Sequence, residues 1–148
     1  MTRRGCVRAG YPMDRPLTGR SILIVEDEPL IAIDVQIVFE AAGAKTTLAR
    51  TLKAALVAAE AADLSAAILD HALADGNSAQ LCERLKERDI PFLIYSGFKE
   101  FDGACNGGAH VEKPATPSVL IASVVGLLAR HPSRPRTTIS TPSTISAS

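Results

Sequence analysis

The chain lacks tryptophan, has few aromatic residues of any kind, and contains no long apolar run. No stretch approaches the roughly 18 apolar residues expected of a membrane-spanning helix. The basic N-terminus is followed by Pro12 and Pro16 rather than by the apolar segment of a signal peptide. We therefore expect a soluble, cytoplasmic protein that does not bind a membrane.

Neither sign of charge is in excess, since 16 basic residues balance 16 acidic ones. Such a chain has no global field that attracts nucleic acid, and we predict no direct nucleic-acid partner. Cys6, Cys82 and Cys105 lack the close spacing of zinc or dithiol redox motifs. An odd number of scattered cysteines fits a reducing compartment, and we interpret all three as structural or incidental thiols.

The composition that is present fits one globular domain between two tails. Residues 1–19 have no hydrophobic period and carry Gly, Pro and Arg, which predicts a disordered leader, with Met13 as an alternative start to Met1. Residues 131–148 are rich in Ser, Thr and Pro and predict a disordered tail without room for an output domain. The folded domain is expected over 20–130.

Within that domain, strand-like and helix-like segments alternate. Pro29 suits the first turn of a helix, and Gly43 suits a helix end. Five strands alternating with five helices predict an α/β fold with a doubly wound parallel sheet in the order 2-1-3-4-5. Its crevice should lie at the ends of strands 1 and 3. The predicted strands are 21–26, 44–49, 66–70, 90–95 and 109–111, and the predicted helices are 29–42, 51–62, 78–88, 98–105 and 117–130.

Four of the apolar runs end on polar residues that phosphoryl chemistry could use. Converging carboxylates repel one another unless a cation joins them, and magnesium suits such a set because it keeps positions open for water or phosphate. A strand-end aspartate could attack phosphorus to form an acyl phosphate. Gly97, after the hydroxyl, leaves space for the incoming group. The strand-end residues are Glu26, Asp27, Asp70, Ser96 and Lys113.

Four short motifs carry a family resemblance: VEDEP at 25–29, LDHALADG at 69–76, YSG at 95–97 and VEKP at 111–114. Their order and spacing resemble those of the response-regulator receiver family over about residues 20–130. The resemblance implies the flavodoxin-like receiver fold and a place in a two-component or phosphorelay pathway. It also implies a histidine kinase or phosphotransfer protein as donor, and a downstream protein partner.

The resemblance assigns roles to individual residues. It implies that Asp70 accepts the phosphoryl group. It implies that Asp27 and Asp70 ligate Mg²⁺ together with the backbone carbonyl of Ala72, while Glu26 helps through water. The family pattern therefore makes magnesium the expected cofactor.

Three further residues take roles from the same resemblance. Ser96 would be the switch hydroxyl, and Lys113 would contact the phosphoryl group. The bond from Lys113 to Pro114 would be cis, which proline makes accessible at low cost.

The chain departs from the family at two places. His110 stands three residues before the lysine, where many receivers carry Tyr or Phe, so it is either a proton-sensitive switch or an ordinary structural histidine. PFLIYSGF at 91–98 is similar to a subgroup signature of alpha-proteobacterial receivers, Pro-Phe-x-Phe-Ala-Thr-Gly-aromatic. Tyr95 and Ser96 replace its Ala-Thr.

The last predicted helix has more apolar residues than a single core stripe needs. It is either a homodimer or partner surface, or a fully buried helix. The residues concerned are Val119, Ile121, Val124, Val125, Leu127 and Leu128.

Three other functions are alternatives to a signalling receiver that acts by binding rather than turnover. A haloacid-dehalogenase-type phosphatase needs a second aspartate two residues after the nucleophile, where Ala72 stands. An FMN binder needs a phosphate-cradling loop after strand 1, and EDEP would repel phosphate. A degenerate receiver acting as a phosphate-independent interaction module is the remaining alternative.

Overall fold

The computed structural model describes residues 15–70, 72–73, 75–97, 105 and 108–131. Five parallel strands form the central sheet in the order β2-β1-β3-β6-β7, and β4 and β5 form a separate two-stranded hairpin. Counted within the central sheet alone, this order is 2-1-3-4-5, as the sequence predicts. The strands in chain order are β1 (Ser21–Val25), β2 (Lys45–Ala49), β3 (Ala66–Leu69), β4 (Ala72–Leu73), β5 (Gly76–Asn77), β6 (Phe92–Ser96) and β7 (Ala109–Glu112).

Four helices flank the sheet: α1 (Pro29–Ala41), α2 (Leu52–Ala58), α3 (Ala79–Glu87) and α4 (Pro117–Arg130). The helix predicted over 51–62 ends earlier, because the amides of Glu60 and Ala61 bond to carbonyls three residues back instead of continuing the helical ladder. The helix predicted over 98–105 lies outside the described residues except for its last position. None of the described helices is long and apolar enough to span a membrane.

The central strands β1, β3 and β6 are buried on both faces because helices cover both faces of the sheet. Ile22 and Ile24 point into one core layer, which contains side chains of α1 and α4. Leu23 and Val25 point into the other, which contains side chains of α2 and α3. At their carboxyl ends these buried strands contain or are followed by polar residues, which form one edge of the sheet.

The folded part begins earlier than residue 20, the boundary predicted from sequence. Leu17 is 1% exposed and packs in the α1/α4 layer, and its amide donates to the carbonyl of Ala42. A single apolar residue among Gly, Pro and Arg has no period, so the pattern could not reveal this contact. Residues 1–14 of the predicted leader and residues 132–148 of the predicted tail lie outside the described residues.

Gly43 follows α1 and turns the chain beneath the segment that holds Leu17. Its φ of +99° is one that residues with a side chain rarely adopt, and a Cβ there would lie 2.5 Å from Oγ1 of Thr18. Glycine is therefore required at this helix stop for both a conformational and a steric reason.

The interpretation of all cysteines as thiols is wrong for two of them. Cys82 of α3 and Cys105 form a disulfide with a Cα–Cα distance of 5.2 Å. They are 23 residues apart in sequence, and only the folding of both segments onto the same face of the sheet brings them together. Cys6 lies outside the described residues.

Candidate functional site

Three carboxylates meet at the carboxyl-terminal edge of the sheet. Glu26 and Asp27 follow β1 and Asp70 follows β3, and the parallel pairing of these strands brings their ends side by side. The amide of Asp70 donates to the carbonyl of Val25 at 2.9 Å, which extends the pairing to the site itself. One oxygen from each carboxylate lies within 4.8 Å of the others. This set of hard oxygen atoms suits a divalent cation such as Mg²⁺.

Lys113 brings a positive charge to the same place. Its Nζ lies 2.9 Å from Oε1 of Glu26 and 3.5 Å from Oδ2 of Asp70. The peptide bond from Lys113 to Pro114 is cis, and the Lys113 amide donates to the carbonyl of Ser96 at 3.1 Å. The lysine is thus anchored by its backbone at the end of β6 while its side chain reaches the carboxylates.

Burial and pairing act in opposite directions on the two best-buried charges. Burial raises the pKa of Glu26, and its contact with Lys113 lowers that pKa only in part, so the net pKa is raised. Burial lowers the pKa of Lys113, but the hydrogen bond to Glu26 and the charge of Asp70 outweigh it, so the net pKa is raised. Lys113 is consequently held as a cation next to Asp70.

The end of β6 places a hydroxyl near this group. Ser96 is 1% exposed, and the exposed Gly97 follows it. A Cβ built on Gly97 would meet no atom of the described residues within 4 Å. His110 is half-buried on β7 and pairs in register with Ile94 of β6, one strand away from the carboxylates.

The hairpin β4–β5 follows Asp70 directly and was not anticipated from the sequence. Its first strand starts at Ala72, the residue whose carbonyl the family pattern assigns to the metal. The hydroxyl of Ser78, just after the hairpin, donates to the backbone carbonyl of Asp70. Asp75 at the turn accepts from the amides of Leu52 at 2.7 Å and Lys53 at 3.1 Å, and so caps α2.

Ser78 and Asp75 thus hold the loop that carries the central aspartate. A capping pattern after a strand end could have suggested Ser78 as a helix cap, because Ser is common at such positions. Nothing local in the sequence could show that Asp75 reaches α2, since its partners lie 22 and 23 residues earlier.

Tyr95 is a further residue whose role sequence reasoning missed. Its side chain is 8% exposed, and its hydroxyl oxygen accepts from the amide of Ala115 at 3.2 Å. Nζ of Lys113 lies 5.5 Å from the centre of its ring. The tyrosine therefore supports both the lysine and the turn after it, a role that the smaller residue of the subgroup signature could not take.

The comparisons with known proteins agree with this architecture. Residues 22–125 match the model of the response regulator receiver domain family. None of the curated proteins compared with the chain matched it.

Several solved structures are similar in fold. A CheY-like receiver domain protein from Methanospirillum hungatei has a TM-score of 0.69 and 24% identity, with 76% of this chain and 95% of that chain covered. The non-phosphorylated HemR receiver domain from Leptospira biflexa has a TM-score of 0.68 and 24% identity, with 78% and 98% covered. The beryllofluoride-activated NtrC4 receiver domain dimer has a TM-score of 0.65 and 23% identity, with 75% and 98% covered. These likenesses confirm the predicted flavodoxin-like fold.

Proposed function

The chain belongs to the response regulator receiver domain family, and from this membership we propose that Asp70 is its phosphoacceptor. In this proposal a histidine kinase or phosphotransfer protein of a two-component or phosphorelay pathway donates the phosphoryl group. The protein then acts by binding a downstream partner rather than by turnover, and it does so in the cytoplasm.

The observation that carries the proposal is the pairing of Asp70 with the Lys113 cation, 3.5 Å away, beside two further carboxylates. An Asp70 oxygen would attack phosphorus, while the bond from phosphorus to the donor's imidazole nitrogen breaks. Lys113 would hold the arriving negative charge, as a positioned cation does in other phosphoryl transfers. Ser78 keeps the Asp70 backbone in place during this step.

The acidic set fits the metal that the family pattern implies. Glu26, Asp27 and Asp70, with the carbonyl of Ala72, would hold Mg²⁺. When bound, the ion would neutralise the carboxylates and the phosphoryl oxygens. The Glu26 carboxylate already accepts from the Glu28 amide and from Lys113, which fixes its orientation at the strand end.

The switch is proposed to run through Ser96. A hydroxyl buried at the end of β6 can donate to a phosphoryl oxygen on Asp70, and Gly97 after it has no side chain to obstruct that group. A population shift between two surface states would follow. The proposed reader of that surface is a downstream protein, and a second copy of this chain is proposed as a further partner.

The decisive test is phosphorylation of the full chain by acetyl phosphate, followed by intact mass. Wild type should gain one phosphoryl group with Mg²⁺ and almost none with EDTA, because the carboxylates repel the donor without a cation. Asp70→Asn should gain none. Asp63→Asn is the matched control, because Asp63 is exposed near the opposite edge of the sheet and pairs only loosely with Lys45, at 3.8 Å.

Equal phosphorylation of wild type and Asp70→Asn would contradict the assignment of Asp70. No phosphorylation of wild type, with partner binding intact, would favour the phosphate-independent interaction module instead.

A further inference from the structure

A disulfide joins α3, which follows the loop that carries Asp70, to the connection that precedes β7. Cys82 lies in α3, and Cys105 lies in the connection from β6 to β7. Both side chains are 0% exposed and belong to the same core layer as Ile94 of β6. The disulfide is therefore buried in the core rather than exposed at the surface.

On the Cys105 side, the bond is tied closely to β7. The amide of Gly108 donates to the carbonyl of Cys105 at 3.1 Å, one residue before the strand begins. A Cβ at Gly108 would lie 2.4 Å from Cε2 of Phe92, so this turn is packed directly against β6. From there β7 leads without a break to Lys113.

On the Cys82 side, the bond is tied to the loop that carries Asp70. The amide of Cys82 donates to the carbonyl of Ser78 at 2.8 Å, and the hydroxyl of Ser78 donates to the carbonyl of Asp70. The disulfide thus completes a series of covalent and hydrogen-bonded links from Asp70 through α3 and β7 to Lys113. Relative movement of α3 and β7 is what this bond opposes.

We propose that Cys82 and Cys105 form an oxidation-sensitive pair whose disulfide slows phosphoryl acceptance at Asp70; the regulatory part rests on the function proposed above. A phosphoryl group must enter between Asp70 and Lys113, whose charged atoms are 3.5 Å apart. In this proposal the end of β7 that leads to Lys113 shifts to admit it, and the crosslink, which holds the start of β7 through Gly108, restrains that shift. Disulfides are rare in a reducing cytoplasm, and those that occur there are usually transient or redox-sensing.

The oxidant in this proposal is a small disulfide such as oxidised glutathione. One cysteine thiolate attacks a sulfur of that disulfide, which forms a mixed disulfide and releases one thiol. The second cysteine thiolate attacks the protein-bound sulfur, which forms the Cys82–Cys105 bond and releases the second thiol. Two electrons and two protons pass from the protein to the oxidant. Both steps require a local opening, since neither sulfur is exposed in the folded state.

The bond is tested first, without reference to phosphate. The full chain carrying Cys6→Ser is equilibrated with reduced or oxidised glutathione, free thiols are alkylated, and the protein is digested and mapped by mass. We expect a linked Cys82–Cys105 peptide pair in the oxidised sample and two alkylated cysteines in the reduced one. Glutathione adducts, or free thiols under both conditions, would overturn the proposal.

The coupling is tested with the same two samples by their rate of phosphorylation by acetyl phosphate and Mg²⁺. The oxidised form should be slower by about tenfold, within the usual range for coupled sites. Cys82→Ala should match the reduced protein under both conditions. Because the comparison of oxidised with reduced protein needs no core substitution, it holds even if Cys82→Ala folds poorly.

Equal rates in the two redox states would refute the coupling. If neither state accepts phosphate, the proposed function fails and the coupling fails with it, while the peptide map still decides whether the pair oxidises.

Discussion

At the scale of single residues, the site depends on one cation shared between carboxylates. The ammonium group of Lys113 contacts Glu26 and Asp70, and it lies over the ring of Tyr95. The lysine is partly buried, so its charge is less screened by water than that of an exposed lysine. Replacing Lys113 should therefore lose more interaction free energy than breaking one surface ion pair does.

We predict that Lys113→Ala reduces the rate of phosphorylation by acetyl phosphate about a hundredfold, the usual effect of deleting one positioned group that stabilises developing charge. Lys45→Ala is the control, because that lysine is exposed and begins β2, at the edge of the sheet opposite the carboxylates. The rates are measured by intact mass at saturating Mg²⁺. A Lys113→Ala rate within twofold of wild type would remove the lysine from the mechanism.

At the scale of secondary-structure elements, capping residues and turns fix where the helices begin and end. Thr116 and Thr51 cap α4 and α2 with their hydroxyls, and Asp75 adds a second cap to α2. Those capping bonds lower the pKa of Asp75, so its contribution to stability is present above its ordinary pKa and is lost as the pH falls through the lowered value. After the C-terminal end of α1, Gly43 turns the chain so that it passes close to Thr18.

We predict that Gly43→Ala destabilises the fold by about 2 kcal/mol, because it adds both a strained φ and a steric contact. Gly19→Ala is the matched control: its φ is +83°, but a Cβ there meets no atom of the described residues within 4 Å. The free energies of unfolding are compared by urea denaturation. If both variants lose the same stability, the contact with Thr18 costs nothing.

At the scale of the whole molecule, exposed apolar side chains are distributed unevenly. Of the described residues, α1 and α4 carry most of the large exposed ones. Of the two alternatives left open for the last helix, full burial is not met, since Val119 is 46% and Val125 is 37% exposed. An apolar face of this kind is typical of an interaction surface. Its α1 members are Leu30, Ile33 and Ile37.

If a second copy binds this face, Ile37→Glu should abolish dimers in sedimentation experiments on the protein phosphorylated by acetyl phosphate, because a charge would be buried without a partner. Val57→Glu on α2 is the control, since Val57 is also exposed, at 73%, but lies on the other side of the sheet. Wild type that remains monomeric with and without phosphate would contradict the homodimer.

The sequence by itself determined the sheet, its strand order and the polar residues at its edge. Apolar runs, helix signals and strand-end residues are local patterns, and the parallel arrangement then follows from general rules of chain connection. That is why Glu26, Asp27, Asp70 and Lys113 could be assigned to one place before the structure was known.

Only the tertiary structure decided which distant residues contact one another. The Cys82–Cys105 bond, the Asp75 cap on α2 and the burial of Leu17 each join segments at least 22 residues apart. Such contacts depend on the packing of completed elements, and they leave no periodic trace in the chain. The placement of the site residues was therefore readable from the sequence, whereas the contacts that support them, and the crosslink proposed to regulate the site, were not.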